Sequence, residues 1–148
     1  MQNCKLSEAL AVLGAINPSS QAAGTANSGW ISLANARRVL AIIQVGTFGA
    51  AATVDAKIQQ AKDLAGTGAK DVAGKSIVQL LAAGGNNVLS LIDVNADELD
   101  VNNGYSAVQL SITVGAAATQ TAGLVLGGDT RFNPASAFNA ASVAAAVG

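Results

Sequence analysis

Short runs in which apolar and polar side chains alternate, each closed by a glycine- or asparagine-rich turn, limit what this chain can fold into more than any other feature. The clearest is YSAVQLSITV (105–114), with Val108, Leu110, Ile112 and Val114 on one side and Gln109, Ser111 and Thr113 on the other. A period of two is the pattern of a strand that lays one face on a core. In RRVLAIIQVG (37–46), Val39, Ala41, Ile43 and Val45 share a face, and Leu40 and Ile42 make the other face apolar too, which predicts burial on both sides. ATVDAKIQQ (52–60) alternates in the same way. Val54, Ile58, Ala61 and Ala65 also keep helical spacing, so 54–65 reads as a strand with a helix as the alternative.

Turn chemistry divides the rest. GTGAKDVAGK (66–75) reads as a glycine-rich surface loop. SIVQLL (76–81) and NVLSLIDV (87–94), separated by Gly84-Gly85-Asn86-Asn87, read as a hairpin. Asn95 with Glu98 three residues on has capping-box spacing and predicts one helical turn, and Asn102-Asn103-Gly104 predicts a tight turn. AGLVLGG (122–128) supplies another strand. The count is six to eight short strands, which predicts an all-β protein: a two-sheet sandwich or jelly roll with few short helical turns.

The two ends read differently. Leu6, Ala9, Leu10 and Leu13 fall on one helical face, so 5–13 is a candidate short helix, and NPSSQAAGTANSG (17–29) has linker composition. Residues 1–29 are therefore expected to be an extended N-terminal arm, 30–132 the sandwich body, and 133–148 a tail or last strand.

Charge narrows the function. Only 11% of residues are charged, against roughly 25% in an average soluble domain, and the net charge is -1. Free surfaces use charge to keep molecules apart, and protein interfaces are poor in Lys, Glu and Asp, so much of this surface is expected to be covered by other subunits. A nucleic acid or an anionic membrane calls for a basic excess that is missing here. Residues 101–128 carry no charge over a length that could span a bilayer, but the Ser, Thr and Gln interleaved in LSITVGAAATQTAGLVLGG read as two strands and a loop.

No catalytic set emerges. The chain has no histidine, which removes the commonest general base and an imidazole metal ligand. Cys4 is the one cysteine, without a histidine to activate it. GTGAKDVAGKS (66–76) has five residues between Gly68 and Gly74, where a phosphate loop needs four, and Ala69 stands where the first glycine belongs. DVNADELDVNNG (93–104) resembles a calcium loop, but Glu98 occupies the obligatory glycine position and Gly104 that of the bidentate acid. Asp97, Glu98 and Asp100 lie together on a turn and do not read as a convergent acid pair. The expectation is a protein that is not an enzyme and takes no cofactor or metal. Trp30, Arg37, Arg38, Phe132 and Phe138 are the candidate partner contacts. Trp30 is a core plug or an interface anchor, and the arginine pair is an edge charge or ion-pair donor.

Two longer stretches carry a resemblance. GWISLANARRVLAIIQVGTFGAAATVDAKIQQAKDLAGTGAKDVAGKS (29–76) and DELDVNNGYSAVQLSITVGAAATQTAGLVLGGDTRF (97–132) resemble structural proteins from the head-gene clusters of tailed phages and prophages, some of them similar to jelly-roll capsid cement (decoration) proteins. The resemblance covers roughly 29–132 and rests on an overall pattern, including TVDAKIQQA, GTGAKD and ELDV. It implies a virion location after assembly in the host cytoplasm, the major capsid protein as partner, and a dimer or trimer of this chain on the capsid. A head–tail joining or tail component, and a small ligand-binding β module using 66–76, are the alternatives.

Overall fold

The computed structural model describes residues 4–147. After a single helical turn, Leu6–Ala9 (α1), the chain forms ten strands: β1 (Ala11–Gln21), β2 (Gly24–Asn27), β3 (Ile31–Ser32), β4 (Ala36–Val45), β5 (Thr53–Ala61), β6 (Lys70–Ser76), β7 (Leu80–Leu81), β8 (Val88–Asn95), β9 (Ala107–Gly115) and β10 (Thr119–Thr130). They build two antiparallel sheets. One runs β1-β10-β4-β8. The other runs β2-β9-β5-β6, with the two-residue strands β3 and β7 pairing β9 and β5. Without β3 and β7, the eight longer strands in chain order make a first–eighth–third–sixth sheet facing a second–seventh–fourth–fifth sheet. That is a ribbon of four antiparallel pairs rolled across a sandwich, the jelly-roll topology expected from the sequence.

The core follows the alternation. Val39, Ala41, Ile43 and Val45 of β4, and Val54, Ala56 and Ile58 of β5, meet Val108, Leu110, Ile112 and Val114 of β9 between the sheets, all essentially inaccessible. Residues 53–61 are a strand, because β9 and β6 pair with them on both sides and the helical spacing finds no apolar groove to fill. β10 contributes Val125 to the core but also Gly123. A Cβ there would lie 2.8 Å from Leu110 Cδ2, 3.3 Å from Ile112 Cδ1 and 3.4 Å from Ile16 Cβ. Glycine at this position lets the two sheets approach.

Several expectations are corrected. Residues 4–29 are not an arm outside the body. β1 pairs along β10 from Ala11 to Gln21, and β2 pairs with β9, so this extended segment contributes one strand to each sheet. Its small polar residues suit an outer strand whose order comes from the strand beside it. The candidate helix over 5–13 shrinks to one turn, because Leu10 is already extended and sheet pairing begins at Ala11. Met1, Gln2 and Asn3 of the expected arm lie outside the described residues, as does Gly148 at the other end. The C-terminal segment is neither a strand nor an arm over 135–140. It makes a 3-10 turn, Ala135–Phe138, with Ala135 buried, and then caps β1: Val12 N–H donates to Asn139 Oδ1 (2.8 Å) and Ala140 N–H to the Val12 carbonyl (2.7 Å).

The expected surface loop at 66–75 is only a turn at 62–69, followed by β6 from Lys70. Asp63 organises that turn by accepting from the N–H groups of Ala65 (2.9 Å) and Thr67 (3.0 Å). SIVQLL and NVLSLIDV do not form a hairpin. β7 pairs β5 in one sheet and β8 pairs β4 in the other, so the Gly-Gly-Asn-Asn connection crosses the end of the sandwich. The expectation at 95–98 holds: Ala96–Glu98 is a 3-10 turn whose Glu98 carboxylate accepts from Asn95 N–H (2.7 Å). Residues 101–128 form a polar turn, β9 and most of β10.

Removing residues 1–29 is expected to abolish the cooperative thermal transition, since it strips a strand from both sheets; far-UV circular dichroism of the truncated chain checks it. Gly123→Val is expected to cost about 1–3 kcal/mol, by overpacking against Leu110 and Ile112, measured as a lower urea midpoint at unchanged slope.

Candidate interaction surfaces

The structure gathers all five sequence-derived candidates at the end of the sandwich where β4 starts and β10 finishes. Arg37 and Arg38 open β4 and are exposed, as is Phe132, just beyond β10. Arg38 Nε lies 3.2 Å from Asp129 Oδ2, and the Arg131 guanidinium lies 5.6 Å from the Phe132 ring centre. The chain's three arginines therefore share this end, where Arg37 and Arg131 line an open groove of about 820 Å³ between residues 33–37 and Asp129–Arg131. Trp30 and Phe138 line a smaller neighbouring groove of about 230 Å³ with Leu13 and Leu64. Trp30 is half-buried and lies over the 62–69 turn: a Cβ on Gly66 would sit 2.6 Å from its indole Nε1, and Gly66 also has φ +83°. It seals that turn against the body and does not plug the core.

The acidic loop is engaged by lysines. Asp100 pairs with Lys70 and accepts from Asn103, while Glu98 Oε1 lies 2.9 Å from Lys75 Nζ. Lys62 and Lys70 lie 5.6 and 4.3 Å from the Tyr105 ring centre, and the Tyr105 hydroxyl donates to the Gly68 carbonyl (2.8 Å). This cluster ties the 62–69 turn to the 100–105 turn. In the segment with phosphate-loop character, Lys75 is committed to Glu98 and to the Asp93 carbonyl (2.7 Å), and the residues after it are extended or turn, not the helix a phosphate loop needs.

Sequence reasoning missed a larger feature, the outward face of the β1-β10-β4-β8 sheet. Cross-strand register places Ala15, Leu124, Ile42 and Leu91 in one row and Val12, Leu126, Leu40 and Asp93 in the next. Leu40 and Ile42, expected to be buried, are only half-covered, and Leu89 and Leu91 are 64% and 61% exposed. Charge is confined to one border, at Arg38, Asp93 and Asp129. The signal was present as the apolar second face of 37–46, but its meaning depended on whether anything packs over it. On the other sheet, Gln109 and Ser111 face outward yet are buried by their neighbours, with Gln109 Nε2 donating to Gln59 Oε1 (3.0 Å).

No family model matches this chain, and no curated protein does. Among solved structures it is similar to that of Triatoma Virus (9% identity over 87% of this chain and 68% of that chain, TM-score 0.47). It is also similar to that of infectious bursal disease virus Gx strain (10% identity over 85% of this chain and 33% of that chain, TM-score 0.46). A third is a CBM4 structure (18% identity over 74% of this chain, TM-score 0.40). The chain spans 60% of the length of the CBM4 chain.

Four surface carboxyls sit below the ordinary carboxylate range. For Asp63 the cause is hydrogen bonding from Thr67; for Asp71, from Lys57 and Gln59; for Glu98, from Asn95 N–H and then Lys75; and for Asp100, from Lys70 and Asn103. A carboxyl lowered by folding contributes stability that is complete above its unfolded pKa and is lost as pH falls through the folded one. The melting temperature is therefore expected to hold from pH 7 to about pH 4 and to drop below it. Salt is expected to weaken the lysine-dependent part. Thermal scans at pH 7, 4 and 2.5, at two salt concentrations, check both.

Proposed function

We propose that this chain is a capsid cement protein: a jelly-roll subunit that docks on the major capsid lattice of a tailed phage and holds it closed. The observation that carries the reading is the outward apolar sheet face, half-covered over β1, β10 and β4 and open over β8, with the row Ala15, Leu124, Ile42, Leu91 reaching across all four strands and charge kept to its border. A free subunit gains nothing by keeping such a face in water, whereas a partner that covers it removes apolar area at roughly 25 cal/mol per Å². The head-cluster resemblance over 29–132 and the low charge of the whole surface support the same reading.

The mechanism is mass action. A subunit that binds across neighbouring capsid proteins only when they are in the closed lattice stabilises that lattice by its binding free energy, repeated at every equivalent position. No bond is made or broken, and no cofactor is required. The arginine end, with Trp30, Phe132 and Phe138, offers a second contact of different chemistry, able to meet carboxylates on a neighbouring subunit.

Purified expanded heads lacking the protein are the direct test. Added protein is expected to saturate them at hundreds of copies per particle and to raise their disassembly temperature. Ile42→Lys with Leu124→Glu, which sets opposite charges across the β4–β10 pair, is expected to prevent saturation, and the variant's own melting curve confirms that it is folded. Binding of about a dozen copies at one vertex would move the protein to the head–tail joint. Unimpaired saturation by the double variant would remove the sheet face from the contact.

A further inference from the structure

We infer that the free edge of β8 is a self-pairing surface through which two copies of this chain join their outer sheets into one eight-stranded sheet. β8 is the last strand of the order β1-β10-β4-β8 and pairs only with β4. Which backbone groups point outward is settled twice. Lys75, from the opposite sheet, donates to the Asp93 carbonyl, so that carbonyl turns away from β4. Independently, Val12 uses both its N–H and its carbonyl on the C-terminal segment, away from β10. Along the row Val12, Leu126, Leu40, Asp93, the alternation of antiparallel bonding then pairs Leu126 with Leu40 and turns Asp93 outward. With Asp93, the N–H and carbonyl groups of Leu91 and Leu89 face the open edge.

An open edge is ordinarily blunted by lysine, proline, a bulge or a covering segment. This fold does so selectively. The C-terminal segment covers β1 at Val12, and Lys75 covers β8 at Asp93. Over 88–92 the sequence VLSLI has no charge and no proline, and its register with β4 is unbroken. Among the described residues, no hydrogen bond reaches Leu89 or Leu91 from the open side. Those two residues also carry exposed leucine side chains.

Self-complementarity selects a second copy as the occupant. In an antiparallel pair about a two-fold axis at Ser90, Leu89 of each copy faces Leu91 of the other, Val88 faces Ile92, and Ser90 faces Ser90. Leu89 and Leu91 would then exchange four N–H···O bonds across the axis. Centring on Leu91 would set Leu89 against Asp93 and require the carbonyl that Lys75 holds. Centring on Leu89 would bring in Asn87, whose φ of 59° breaks the strand. Only the Ser90 register uses extended, unoccupied backbone throughout. Five residues a side bury less than the roughly 1,200 Å² of a standard interface, so the pairing is expected to be concentration-dependent. It does not rest on the capsid reading, since it concerns the isolated chain.

Sedimentation velocity of the full chain over a wide concentration range tests it. The wild type is expected to shift from monomer to dimer. Leu89→Lys with Leu91→Lys is expected to weaken the dimer at least about tenfold, by opposing like charges across the axis. Leu89→Lys with Leu91→Glu is expected to restore it, because each lysine then faces a glutamate. Ser90→Cys in a Cys4→Ser background is expected to give a disulfide-linked dimer under mild oxidation, because the 90–90 pair has the close Cα spacing of a non-hydrogen-bonded pair. Far-UV spectra and melting curves confirm that each variant is folded. A wild type that stays monomeric at hundreds of micromolar would overturn the inference and leave the edge to a strand from another protein. A dimer indifferent to the double lysine variant, or a Lys/Glu variant without rescue, would overturn it equally.

Discussion

Everything in this fold depends on β10 lying between β1 and β4. The chain's last strand joins its first strand to the rest of the sheet, and no other strand of that sheet touches β1. The pairing spans more than a hundred residues, so its closure entropy must be met before β1 gains a single hydrogen bond. β10 can fill this place because its inward positions alternate Gly123, Val125 and Gly127: Gly123 lets Leu110 and Ile112 of the opposite sheet settle onto it, and Gly127 makes room for Leu13 of the neighbouring β1. Its outward positions, Leu124 and Leu126, remain apolar. One strand thus sets both the tightness of the core and the character of the outer face.

The treatment of the borders follows from the same topology. A jelly roll leaves an edge on each side of each sheet, and each must be covered, charged or used. Here the C-terminal turn covers one edge at Val12, and Lys75 reaches from the opposite sheet to cover another at Asp93. Ion pairs tie turns and strand ends together, Lys70 with Asp100, Lys75 with Glu98 and Arg38 with Asp129, and one more, Lys57 with Asp71, links β5 to the border strand β6 of the opposite sheet. Spent on turns and borders, they leave the sheet face and the 88–92 edge uncharged. A low-charge composition thus becomes a specific apolar surface, because the charges that exist are placed elsewhere.

The candidate residues were legible as types and not as a group. Trp30, Arg37, Arg38, Phe132 and Phe138 are five of the eight aromatic or guanidinium side chains in a chain of small residues. That all five meet at one end of the sandwich depends on β4 starting where β10 finishes, which no local pattern encodes. Leu89 and Leu91 show the converse. In sequence they alternate like any buried strand, and they are exposed because they point to the outer face of the sheet on an edge strand that, among the described residues, has a neighbour on one side only.

What the sequence determined by itself is the set of things that depend on a residue and its near neighbours. These are the alternation that makes 37–45, 53–61, 88–95 and 107–115 strands, the capping turn at 95–98, and the scarcity of charge that points to a covered surface. A period of two is a local property, because successive side chains leave the backbone on opposite sides. What only the tertiary structure decided is who pairs with whom. It turned 11–27, part of the expected arm, into strands of two different sheets, separated β7 from β8 across the sandwich, and pulled 70–76 out of its apparent loop. Strand order rests on backbone hydrogen bonds that are chemically the same for every residue, so it is chosen by how side chains far apart in the chain fill one core.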